Sequence, residues 1–127
     1  MSDERDPLAW IAKAEEDYDV ARSALRRKKP WTFTACFHAQ QCAEKYLKGM
    51  LVAKGNQFSK VHDLLKLSQE CERAGILVAV DSKSLARLSL YAALTRYRGA
   101  DPTSDEARDA LEIAKAVRKF ARKFLNV

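Results

Sequence analysis

The sequence predicts an all-α fold, an antiparallel up-and-down bundle of about five helices built as a single domain over residues 7–127. Apolar residues recur every three or four positions almost throughout, which is the period of one helix face. Only four glycines and three prolines punctuate 127 residues, so long helices meet few breakers. No stretch alternates apolar and polar residues over the length of a strand.

Each helix has its own signals. The first is expected from about Pro7, suited to a first-turn position, to about Arg27, with Leu8, Ile11, Ala14, Tyr18, Ala21 and Leu25 on one face. Residues 1–6 before it form a candidate disordered terminus. Pro30 closes the interruption that follows. The second helix, from about Thr32 to Lys54, places Ala35, Ala39, Cys42, Ala43, Tyr46, Leu47, Met50 and Leu51 inward and stops at Gly55-Asn56. As the longest, it is expected at the centre. Ser59 is read as the cap of a third helix carrying Val61, Leu64, Leu65, Ser68 and Cys71 and ending near Gly75. Asp81 is read as the cap of a fourth, in which Leu85, Leu88, Leu90, Ala92, Ala93 and Leu94 leave little polar face, as in a core helix or a dimer seam. Thr103 and Glu106 have the spacing of a capping box. They open a fifth helix, with Ile113, Val117, Phe120, Ala121 and Phe124 on one side and Lys115, Arg118, Lys119, Arg122 and Lys123 on the other.

Composition narrows the function. No apolar run approaches the roughly 20 residues of a membrane span, and the N-terminus has no apolar signal region, so a cytoplasmic protein is expected. Cys36, Cys42 and Cys71 are odd in number, lack C-x-x-C spacing and fall in apolar-periodic segments, which reads as buried free thiols. A formal charge of +6, from 23 Lys and Arg against 17 Asp and Glu, permits an anionic partner. Much of the excess lies in Arg26-Arg27-Lys28-Lys29 and the last helix, where cations also complement helix dipoles. With two histidines and neither H-E-x-x-H nor paired E-x-x-H, no metal site is expected. Glycine-rich phosphate loops are missing too, and no cofactor is predicted. Covalent catalysis finds no nucleophile suitably placed beside His38.

Polar and basic elements remain. His38, Gln41, Lys45 and Lys48 are spaced i, i+3, i+7, i+10 and form one column along the second helix, suited to a phosphate or a base edge. The same column also reads as a solvated flank, with Glu44 paired to Lys45 or Lys48. Arg96-Tyr97-Arg98-Gly99 ends the fourth helix: two guanidinium groups flank a ring that can stack on a base, although cations and a glycine also suit an ordinary helix C-terminus. His62-Asp63 is a third, less specific element.

The order of these pieces resembles the HEPN family (higher eukaryotes and prokaryotes nucleotide-binding domain). The run from Ala35 to Lys48, ACFHAQQCAEKYLK, is followed by His62-Asp63-Leu64 and then Arg96-Tyr97 on successive helices, and the similarity extends from Trp10 to the last helix. The resemblance implies a small helical bundle that commonly dimerises, often encoded beside a minimal nucleotidyltransferase and often acting as a toxin–antitoxin pair. In the family's active branch an R-x(4–6)-H motif makes a metal-independent RNase, its arginine holding the scissile phosphate and its histidine handling protons. Here no histidine follows His62, and that motif has no counterpart. A related branch with proline after R-Y has Arg98 at that place here.

The expected function is therefore a homodimeric HEPN module that binds nucleotide or RNA phosphate and docks a minimal nucleotidyltransferase without catalysis of its own. Its ligand-binding residues are His38, Gln41, Lys45, Lys48, Arg96, Tyr97 and Arg98. One alternative is an endoribonuclease toxin using Arg96 with His38 or His62 in a rearranged pair. The other is a purely structural dimerisation subunit.

Overall fold

The computed structural model describes residues 4–127 except for the side chains of residues 95–98. It contains five helices: α1 (Pro7–Arg26), α2 (Thr32–Ala53), α3 (Leu64–Arg73), α4 (Ser82–Arg98) and α5 (Ser104–Leu125). Local chemistry fixes most of their ends. Asp6 accepts the Leu8 amide at 3.0 Å ahead of Pro7, and Asp81 accepts the Ser84 amide at 2.7 Å. Thr103 and Glu106 close a reciprocal capping box at the start of α5. The carbonyl of Glu4 accepts the Trp10 indole N–H, which draws the chain before α1 along that helix.

The start of α3 differs from the sequence expectation. Asp63, not Ser59, is its cap, its carboxylate accepting the amides of Leu65 and Lys66 at 3.0 and 3.3 Å. Ser59 is drawn instead to Glu70, whose carboxylate takes both its amide and its hydroxyl. Val61 consequently lies in the preceding loop, partly buried against the core. Leu8 also departs from the inward face and is 63% exposed. At about 100° per residue it sits roughly 60° beyond Ile11, outside the buried arc of α1.

α2 is the centre of the bundle and packs against each of the other four helices, most extensively α1 and α5. Its second half is enclosed on every side: Tyr46, Leu47, Lys48, Gly49, Met50 and Leu51 are all buried. Gly49 permits the close approach of α1, since a Cβ there would stand 3.2 Å from the Trp10 Cβ. At the C-terminal end Gly55 takes φ of +75° and the Asn56 amide reaches back to the Leu51 carbonyl, stopping the helix where the sequence places the stop. Burial follows the expected face of α2, whereas on α3 Leu65 is only partly buried beside the inaccessible Leu67, and on α5 Phe124 is 39% exposed while Ile113, Val117 and Ala121 are buried; Cys36, Cys42 and Cys71 are free and inaccessible. On α4, Leu85 and Leu88 are inaccessible while Leu90 is 53% exposed, so the helix is enclosed on one side only.

Candidate binding groove between α2 and α4

The column on α2 divides between two environments. Angular positions at about 100° per residue spread its four members over roughly 80°, with His38 and Lys45 along one edge and Gln41 and Lys48 along the other. The first edge meets α1: His38 Nδ1 lies 2.7 Å and Lys45 Nζ 2.5 Å from the two carboxylate oxygens of Asp17, itself buried. Both side chains of that edge are thus committed to one internal carboxylate. On the second edge Lys48 is buried, its ammonium 3.0 Å from Glu44 Oε2 and 5.2 and 5.8 Å from the ring centroids of Phe58 and Trp10. Here the alternative pairing of Glu44 with Lys48 is the one that forms, and it neutralises a lysine that would otherwise be costly to bury.

Glu44 also joins α2 to the loop before α3. Its Oε1 accepts from His62 Nδ1 at 3.0 Å, and Gln40 Nε2 donates to the His62 carbonyl at 2.9 Å. The His62 side chain is nevertheless 82% exposed, held by one ring nitrogen with the rest of the ring in solvent. Gln41 donates to Gln40 Oε1 at 3.1 Å.

Gln40, Gln41 and His62 face a groove of about 720 Å³ between α2 and α4, whose other walls are Phe33, Phe37, Ser89, Ala92 and Ala93. Phe33 and Phe37, one turn apart on α2, stack with centroids 6.1 Å apart and stay 39% exposed. On the facing wall the Ser89 hydroxyl oxygen is buried with no hydrogen-bond partner among the described residues. The groove thus combines an aromatic platform with two carboxamides, an oriented imidazole and an unsatisfied hydroxyl. These groups can grip a flat, hydrogen-bonding ligand, but they offer no free cation.

Of the residues picked from sequence, Gln41 and His62 line the groove, while His38, Lys45 and Lys48 are engaged elsewhere. Arg96, Tyr97 and Arg98 lie outside the described side chains. Phe33, Phe37, Gln40 and Ser89 were not singled out. Two aromatic residues at i, i+4 near the start of a polar helix face were the signal available for the first pair. Among the described residues no three His, Cys, Asp or Glu side chains are grouped to hold a metal ion, and no helix is long and apolar enough to cross a membrane.

The sequence profile of the HEPN domain family matches residues 8–124, almost the whole chain. The chain belongs to the HEPN domain family. Its five-helix bundle is similar to the crystal structure of TT1696 from Thermus thermophilus, with a TM-score of 0.72 and 29% sequence identity over 93% of this chain and 97% of that one. No curated protein sequence matches it. Within this HEPN domain the family run from Ala35 to Lys48 has a double role: Ala35, Cys36, Ala39, Cys42, Ala43 and Leu47 build the core, and Gln40 and Gln41 face the groove.

Proposed function

We propose that this HEPN protein is a binding module that takes a nucleotide, or one nucleotide of an RNA, in the groove between α2 and α4. In this reading it forms a homodimer and docks a minimal nucleotidyltransferase partner in a toxin–antitoxin-like pair, without catalysis of its own. The observation that carries it is the meeting of the Phe33–Phe37 platform with the carboxamide of Gln41 and the buried, unsatisfied Ser89 hydroxyl. A base stacks on the rings while amide and hydroxyl groups read its edge. Since Lys45 and Lys48 are spent on internal carboxylates, the ligand's phosphate is assigned to Arg96 and Arg98, with Tyr97 as a further stacking residue. The exposed Leu90 on α4 supports the dimer seam.

Titrating ATP, GTP and a short RNA against the purified protein tests the ligand. Saturable binding that weakens in Phe37→Ala, Gln41→Ala and Arg96→Ala is the expected result, and no saturable binding at physiological salt overturns the reading. Mass measurement in solution tests the dimer.

His62 favours a second reading. A ring held at Nδ1 by the buried Glu44, with its other nitrogen free of partners among the described residues, is arranged as a general base is. An endoribonuclease would then pair His62 with Arg96. An RNA time course in EDTA separates the two: cleavage abolished by His62→Ala or Arg96→Ala makes the protein an enzyme, and intact RNA leaves it a binding module.

A further inference from the structure

A second groove, of about 490 Å³, runs between α1 and α5 on residues that the α2–α4 groove does not use. One wall is the face of α1 from Tyr18 to Arg26, the other the face of α5 from Arg108 to Lys115. Each covers about two turns, roughly 11 Å at 1.5 Å per residue. The two walls repeat one pattern: Arg22, Leu25 and Arg26 on α1, and Arg108, Leu111 and Lys115 on α5. Leu25 is partly buried against the core, as is Leu111, and both keep apolar surface in the groove.

Four cationic side chains line this groove against one acidic one, Glu112, which forms no ion pair with them among the described residues. Arg108 pairs with the exposed Asp105, a surface contact that a partner's carboxylate can replace with little loss. Arg22, Arg26 and Lys115 form no ion pair among the described residues. The dipole of α1 explains Arg26, which lies in its last turn, but not Arg22 one turn earlier or Lys115 in the middle of α5. The Arg22 Nε is buried without a partner among the described residues, a donor that an incoming carboxylate would satisfy.

The lining also selects among anions. No ring in the groove is open to stack on a base, since Tyr18 is 5% exposed and the guanidinium groups of Arg22 and Arg118 lie 5.3 and 4.6 Å from its ring centroid. An isolated phosphate would use the cations and leave Leu25 and Leu111 uncovered. Cations on both walls with a leucine beside each set match a chain that carries carboxylates and apolar side chains together.

We infer that this groove docks an acidic amphipathic helix of a partner protein. The helix lies along it for about two turns, its apolar stripe covering Leu25 and Leu111. Its carboxylates meet Arg22 and Arg26 on one flank and Arg108 and Lys115 on the other. The site holds whether or not the α2–α4 groove takes a nucleotide and whatever enzyme the partner is.

The test is fluorescence anisotropy of a labelled peptide of about 15 residues, long enough to form a helix, with Leu at every third or fourth position among Glu. Saturable binding to the full chain at physiological salt is expected, weaker as salt rises. Arg22→Gln with Lys115→Gln should lower affinity about tenfold, a few-fold for each exposed ion pair, and Leu111→Ala several-fold. Lys54→Gln with Lys83→Gln removes the same charge from exposed positions outside the groove and should change affinity little. Lys115 is exposed, so Lys115→Gln alone, with a few-fold loss, serves if the other groove variants fail to fold. No saturable binding, or an affinity that the groove variants lower no more than the Lys54 and Lys83 pair does, overturns the proposal. Poly-glutamate binding as tightly as the Glu–Leu peptide reduces the groove to a general anion surface. Tighter binding of a single-stranded oligonucleotide of matched charge, lost in the same variants, reassigns it to nucleic acid; either result also overturns the proposal.

Discussion

Glu15 of α1 accepts hydrogen bonds from both Nε and Nη2 of Arg118 of α5, at 2.7 and 2.8 Å, across 103 residues of sequence. The Tyr46 hydroxyl of α2 donates to the same carboxylate, and Arg122 Nη1 stands 3.7 Å away. Three helices therefore meet at one acidic side chain. The pair is 30% accessible on each side, so solvent screens part of its strength. Replacing Arg118 by Met should cost about 1–2 kcal/mol of folding free energy, read from urea unfolding. If the bond is the cause, a Glu15→Gln background should absorb most of that cost.

The same carboxylate makes stability depend on acid. The Arg118 bond, helped by Tyr46, holds the Glu15 carboxyl below its ordinary range despite partial burial. In the unfolded chain it titrates near 4.3, so on acidification the unfolded state takes up the proton first. The contribution is complete above that pH and is lost as pH falls through the lower folded value. Unfolding free energy measured from pH 6 down to about 3 should fall less steeply in Glu15→Gln than in the parent. Parallel curves would remove Glu15 from the account.

Lys48 and Glu44 make a different kind of pair, with side chains 8% and 5% accessible. Removing one partner strands a charge in the interior. Lys48→Met alone should therefore cost about 3–5 kcal/mol. Joined with Glu44→Gln it should recover much of that, because the neutral amide can still meet Gln40 and His62. A double variant as unstable as the worse single one would show that the cost is lost packing against Trp10 and Phe58.

Burial pushes the thiols of Cys36 and Cys71 up to about 12, and that of Cys42 higher still. The thiolate is the reactive form, so at pH 8 the folded protein should leave a thiol reagent untouched for hours, and all three cysteines should react once the chain is denatured. Rapid labelling of the folded protein would mean that the core opens readily.

What the sequence showed well is what neighbouring residues decide. Pro7, Asp81 and the Thr103–Glu106 pair act within one helical turn, and the structure uses each of them as read. Ser59 and Asp63 both have cap chemistry. The choice between them depended on Glu70, eleven residues from Ser59, which no local window weighs. The groove residues follow the same division. The spacing of His38 and Lys45 was visible, but Asp17, which claims both, comes from another helix. Lys48 reads as a surface lysine until the rings of Trp10 and Phe58 are seen around it. Ser89 gives no signal at all until α4 is laid against α2.

The enclosure of α2 by the four other helices also sets the order in which the molecule opens. Fraying can release the ends of α1 or the outward side of α4 while the bundle persists, but the backbone amides from Tyr46 to Leu51 reach solvent only when their neighbours part together. In deuterium exchange those amides should be the last to be replaced, at a rate that reports the stability of the whole domain, with the solvent-facing amides of α4 far ahead of them. The helix that carries the run from Ala35 to Lys48 would then also be the one that unfolds only with everything else.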